Sequence, residues 1–150
     1  MPIKSFRGMI ADGIQDTVPL STNNGSTGYK ITKLEVMPAD TAKLQQSVLK
    51  VYKISQTTID DNINFSDNTL LAAAYLTKND DTKYPIVLSS FFDNEIFNQD
   101  VYITHKDAST GEPINYYIEM EQLKLDLSEN TVATLKDIRN IKSQWVNNII

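Results

Sequence analysis

Apolar side chains in this chain recur at every second position, and that spacing belongs to strands. Residues 47–56 show it most plainly. Val48, Tyr52 and Ile54 share one parity with Lys50, while Leu49, Val51 and Lys53 share the other. Successive side chains of an extended chain point to opposite faces, so a segment apolar on both parities is a strand packed on both sides. Residues 100–105 repeat the pattern, with Val101 and Ile103 opposing Tyr102 and Thr104. Residues 6–11, 17–21, 70–77 and 86–92 add further strands. Ala72, Ala73 and Ala74 would also suit a helix. The shortness of that segment and its polar neighbours favour a strand.

Two segments change parity part-way. Tyr29 and Ile31 are followed by Leu34 and Val36. In residues 114–127, Ile114, Tyr116, Ile118 and Met120 give way to Leu123, Leu125 and Leu127. A strand with one buried face cannot switch parity without an extra residue, so a β-bulge or break is expected in each, near Glu121 and Gln122 in the second. Turn-forming runs separate the strands: residues 23–26, 60–62, 79–81 and 109–113. About eight short strands divided this way predict an all-β antiparallel sandwich, jelly-roll-like.

The end of the chain reads differently. Val132, Leu135, Ile138 and Ile141 recur every three residues, and Asn130 or Thr131 can cap what they begin. One short amphipathic helix is expected over residues 131–142. We take residues 1–142 as a single domain that includes this helix, and residues 143–150 as an apolar tail.

Composition narrows function mostly by exclusion. The 150 residues suffice to bury roughly two-thirds of the unfolded chain's surface in one core. Cys is absent, which removes disulfides, thiolate metal sites and cysteine nucleophiles. The net charge is −5 and no two basic residues are adjacent, so the basic footprint of a nucleic-acid binder is missing. No apolar run approaches the ~20 residues that span a bilayer. Residues 1–6 lack the apolar core of a signal peptide, so synthesis and assembly in a cytoplasm are expected. No nucleic-acid or membrane partner is expected.

Candidate sites are few. His105, the single histidine, is read as a surface residue at the mouth of a loop. His105→Ala should then change stability within about 0.5 kcal/mol. Residues 60–68 alternate oxygen-bearing side chains like a calcium loop, but Phe65 and Leu71 stand where an EF-hand needs Gly and Glu. We read a solvated loop, with a looser calcium site as the lesser alternative. Glu119 and Glu121 share a strand face, and a glycosidase would need a second strand to supply the opposing carboxylate. We read them as solvent-facing. Asn115-Tyr116-Tyr117 could stack on a sugar, but aromatics on alternate faces are more often core and edge packing. The glycines form no phosphate loop. No catalytic residue, cofactor or metal site is expected.

Several strings carry a resemblance: Ser5-Phe6-Arg7-Gly8-Met9-Ile10-Ala11-Asp12-Gly13, Gly28-Tyr29-Lys30-Ile31 and residues 96–105, 115–119 and 131–139. Together they resemble small virion-associated proteins encoded by marine bacteriophages, across most of the chain. The resemblance implies a virion component made in the host cytoplasm and transfers no catalytic residue. The leading expectation is a phage structural protein, a capsid decoration or minor capsid component. It would act through interfaces with the major capsid protein or other virion proteins and as a homo-oligomer. A virion or tail-associated module binding a host glycan or receptor is the alternative, and a small hydrolase with an unconventional site the third. Large apolar side chains left in water forfeit roughly 1.5–3 kcal/mol each, so Trp145, Val146, Ile149 and Ile150 should be covered by the domain's own sandwich or by a second copy or the shell, in which case they are the interface anchors, as Trp is enriched there. Residues 2–9 are a weaker candidate, through strand addition to a neighbour's sheet.

Overall fold

A computed structural model describes residues 2–22, 25–79, 84–92 and 94–125. Among these residues eight strands make up the regular structure: β1 (Ile3–Ile10), β2 (Gln15–Val18), β3 (Thr27–Pro38), β4 (Gln45–Tyr52), β5 (Leu70–Lys78), β6 (Ile86–Phe91), β7 (Val101–Asp107) and β8 (Ile114–Lys124). All pairings are antiparallel. They build a three-stranded sheet, β1-β8-β3, and a five-stranded sheet, β2-β7-β4-β5-β6. The arrangement is sandwich-like, and the described residues contain no helix. The helix expected over residues 131–142 and the tail 143–150 lie outside the described residues.

Period-two patterning places the core. On β8, Ile114, Tyr116, Ile118 and Met120 are buried, and Asn115, Tyr117 and Glu119 face outward. On β4 and β7 both parities are buried, as the doubly apolar sequence of β4 requires. Leu49, Val51, Leu76, Ile103, Ile118 and Met120 meet between the sheets in one continuous cluster. Each such side chain contributes roughly 1.5–3 kcal/mol relative to exposure.

The parity change in β3 is a bulge. The register with β8 slips between Ile31 and Lys33, so Thr32 is the extra residue. Ile31 and Leu34 thereby both point inward. β8 itself runs in regular register with β1 as far as Glu121 and with β3 from Gln122 to Lys124. No bulge occurs at Glu121–Gln122. Its buried parity holds to Met120, and Leu125 turns inward only after the strand has ended.

The sheets differ in width. β3 lies near β5 and β6, and β1 near β2. β6 pairs with β5 and is the last strand of its sheet. Every residue of β6 is exposed.

Polar groups pin the loops. Asp100 Oδ1 accepts hydrogen bonds from the N–H groups of Leu20 and Ser21 at 2.8 and 2.9 Å, and from the Ser21 hydroxyl at 2.8 Å. The Ser21 N–H bond is the main reason its carboxyl sits below the usual carboxylate range. Gly8 allows a close crossing, since a Cβ there would lie 2.8 Å from the Tyr116 hydroxyl.

Candidate functional site

His105 is not a surface residue. It is fully buried in the middle of the molecule. Strand β7 continues two residues beyond the expected end, to Asp107, and carries His105 inside. Its Nδ1 lies 3.1 and 3.2 Å from the carbonyl oxygens of Ile10 and Ala11, and its Nε2 lies 2.9 Å from Ser47 Oγ. Carbonyl oxygens only accept, so Nδ1 carries the proton and Nε2 accepts from the Ser47 hydroxyl. Ser47 Oγ in turn accepts from Gln45 Nε2 at 2.8 Å. Burial pushes the imidazole's pKa down, against the raising influence of the two carbonyls and of Asp12 and Asp107.

A serine hydroxyl on a histidine nitrogen is half of a nucleophile–base pair. Here Ser47 and His105 are both wholly buried. No substrate reaches the hydroxyl, and Nδ1 faces carbonyls where a triad has a carboxylate. The pair joins β4 and β7 to the β1–β2 turn.

The acidic loop is held by a lysine. Lys50 Nζ donates to Asp60 Oδ1 at 2.8 Å and to the Asn62 carbonyl at 2.7 Å. Its ammonium also lies 5.5 Å from the centre of the Tyr52 ring. Burial opposes the charge on Lys50, but the bonds with Asp60 and the nearness of Tyr52 outweigh it and raise its pKa. The same bond from Lys50 lowers that of Asp60. Asn64 Oδ1 accepts the Ser66 N–H, and Asp67 Oδ1 accepts from the Thr69 N–H and hydroxyl. The side-chain oxygens of Asp60, Asn64 and Asp67 are thus turned toward Lys50 and the loop's own backbone. Asp60→Ala should cost about 1–2 kcal/mol, modest because Asp60 is half-exposed. Adding Lys50→Met should recover part of that loss, since a buried charge without its partner is worse than an apolar side chain. Urea unfolding of the two variants checks both statements.

Glu119 and Glu121 do not converge on anything. Glu119 Oε1 accepts the Tyr117 hydroxyl at 2.7 Å, and Glu121 lies 3.5 Å from Lys30 Nζ. Tyr116 and Tyr117 part company as alternation requires, Tyr116 into the core and Tyr117 outward. Tyr117 lines a shallow depression of about 460 Å³ with Arg7, Glu35, Met37 and Asn115. Among the described residues no three His, Asp or Glu side chains gather in a way that could hold a metal ion. Trp145, Val146, Ile149 and Ile150 lie outside the described residues. Residues 2–9 fall largely in β1, an edge of the small sheet that is mostly exposed up to Met9.

The surface feature that sequence reading missed is β6. Ile86, Val87, Leu88 and Phe91 are 51, 43, 67 and 37% exposed. Ala72, Ala74 and Leu76 of β5 belong to the core, and their partners across the ladder are Phe91, Ser89 and Val87. These three therefore share a face of their sheet with the core residues of β5, yet stay exposed. Natural edge strands are blunted by charge, internal proline, bulges or a covering segment. β6 contains no charged residue and no proline, and its register with β5 is unbroken. The signal was in the sequence, as an uncharged apolar run between residues 86 and 92. What could not be read there is that the run forms an edge.

No protein-family model matches the chain, and no curated protein matches it either.

Proposed function

We propose that this protein is a structural component of a phage particle, a capsid decoration or minor capsid protein, acting through protein–protein interfaces on a jelly-roll framework. The observation that carries the reading is β6: six consecutive exposed, uncharged residues on a sheet edge. Such an edge offers a row of main-chain donors and acceptors beside apolar side chains, which is what strand addition uses. The net charge of −5 keeps copies apart elsewhere on the surface.

The pairing pattern supports the jelly roll. Rolling an eight-strand hairpin pairs the first strand with the eighth, the second with the seventh, the third with the sixth and the fourth with the fifth. Three of those four pairings occur here: β1–β8, β2–β7 and β4–β5. The third–sixth pairing is replaced by β5–β6, although β6 remains near β3. Double-sheet jelly rolls recur in viral capsid domains. The likeness of the sequence to small phage virion proteins points the same way.

The test is quantitative mass spectrometry of purified particles carrying this gene. We expect the protein in every preparation, at a copy number comparable to that of the major shell protein if it decorates the shell and lower if it is a minor capsid component. Absence from particles defeats the proposal.

A further inference from the structure

We propose that two copies of the chain join through β6, edge to edge and antiparallel about a two-fold axis at Ser89, making one sheet continuous across both. The pairing gives the assembly reading above a named partner, a second copy. It can be measured on isolated protein without any particle.

The ladder fixes which groups are free. The Phe92 N–H donates to the Leu71 carbonyl at 3.0 Å, continuing the β5–β6 ladder past Phe91. In an antiparallel strand the N–H and C=O of one residue point to the same neighbour, and the direction alternates along the chain. Phe92, Ser90, Leu88 and Ile86 therefore face β5. The N–H and C=O of Val87, Ser89 and Phe91 point to the open edge.

Symmetry narrows the register, and of axes at Val87, Leu88 and Ser89 only the last satisfies every free group. A two-fold axis perpendicular to the sheet keeps the same face up in both copies, so directly opposed residues must share a parity. The axis must then pass through a residue. At Ser89, Ser89 meets Ser89 of the second copy and Val87 meets Phe91 of the second copy. Every free group on the three residues then finds a partner. At Leu88, Val87 would meet Ser89, and Phe91 would face Pro85, which has no N–H to give. At Val87, Ser89 would face the same proline.

Side chains and charge agree with this register. Val87 against Phe91 is a β-branched–aromatic pair, a favourable cross-strand combination. Leu88 meets Ser90, and Ile86 meets Phe92. No charge opposes a like charge anywhere along the paired strands. Strand pairing alone buries less surface than a standard permanent interface, so the contact is reversible in isolation and gains from neighbouring contacts in an assembly.

Sedimentation velocity on the full chain is the first measurement. We expect a concentration-dependent species of twice the 16.9 kDa chain mass. Ser89→Pro removes an N–H that points away from β5, so the fold tolerates it as edge strands tolerate proline. The two lost bonds across the axis should weaken association about thirtyfold. Because the chain has no Cys, Ser89→Cys gives a single thiol. Opposed residues at the axis lie about 5.5 Å apart at Cα, within disulfide range. Mild oxidation should yield covalent dimer from Ser89→Cys and little from Thr17→Cys on the exposed face of edge strand β2. A chain that stays monomeric at high concentration overturns the proposal. So does Ser89→Pro associating as strongly as the parent, or Thr17→Cys cross-linking as readily as Ser89→Cys. If the dimer forms but particles lack the protein, the virion reading fails and the pairing stands.

Discussion

Replacing His105 by Ala will cost about 3–4 kcal/mol of folding stability, measured by urea unfolding at pH 7.5. The imidazole fills space in a fully buried position and satisfies two backbone carbonyls and one serine hydroxyl. Alanine leaves a cavity and leaves those groups without a partner, and the two penalties add. His105 also gives the protein a pH dependence with a definite sign. Its pKa in the folded chain is lowered, chiefly by burial. Below about pH 6.5 the unfolded chain takes up a proton that the folded chain resists. Stability is therefore complete above that value. It falls by up to about 1.4 kcal/mol per pH unit below it, until the folded-state pKa is reached. This is the only histidine, so His105→Gln should flatten the profile just below pH 6.5. Asp60 and Asp100, whose pKa values are lowered, act in a separate window near pH 4 and below, where protonation removes their contribution.

Asp107→Ala should be comparably damaging, at about 3 kcal/mol or more by the same measurement. This buried carboxylate closes the β7–β8 hairpin. Its Oδ1 accepts the N–H groups of Gln46 and Ser109 at 2.9 and 3.1 Å, and its Oδ2 accepts the Glu112 N–H at 2.7 Å. Three backbone donors lose a charged acceptor at once, and bonds to charged groups are worth about 1.5–3 kcal/mol each before relaxation. Asp107→Asn discriminates. Its amide oxygen can keep the first two bonds, but its NH2 then faces the Glu112 N–H, donor against donor. We expect a loss of about 1–2 kcal/mol. Equal losses in the two variants would mean that the bonds from Gln46 and Ser109 contribute nothing.

Both residues lie within seven positions of a turn that was legible as a turn, yet neither role was. His105 stands in a segment whose alternation was visible, and the strand's inward parity was set by Val101 and Ile103. The misreading came from ending the strand at His105 and giving Lys106 and Asp107 to solvent. A charged pair looks like a loop in local sequence. Here Asp107 is inside because the hairpin needs an anion to gather its N–H groups, and those donors come from residues 5, 2 and 61 positions away. The acidic loop shows the same limit. Its turn residues were recognised, but its cation is the ammonium of Lys50, brought from β4 by the fold.

Strand identity, by contrast, was a local matter. Sterics force alternate side chains to opposite faces, so β3, β4, β5, β6, β7 and β8 could be located within a few residues of their ends, and the bulge at Thr32 followed from parity alone. The antiparallel two-sheet class came from the same pattern. The pattern does not say which strand lies beside which, because hydrogen bonds between strands are not written in either one. Tertiary structure decided that β6 joins β5 instead of β3, which makes it an exposed apolar edge among the described residues. It also buried His105 and Asp107, where their polarity argued for solvent. A polar side chain can be inside wherever the backbone around it lacks partners, and only the assembled sheets determine which backbone groups those are.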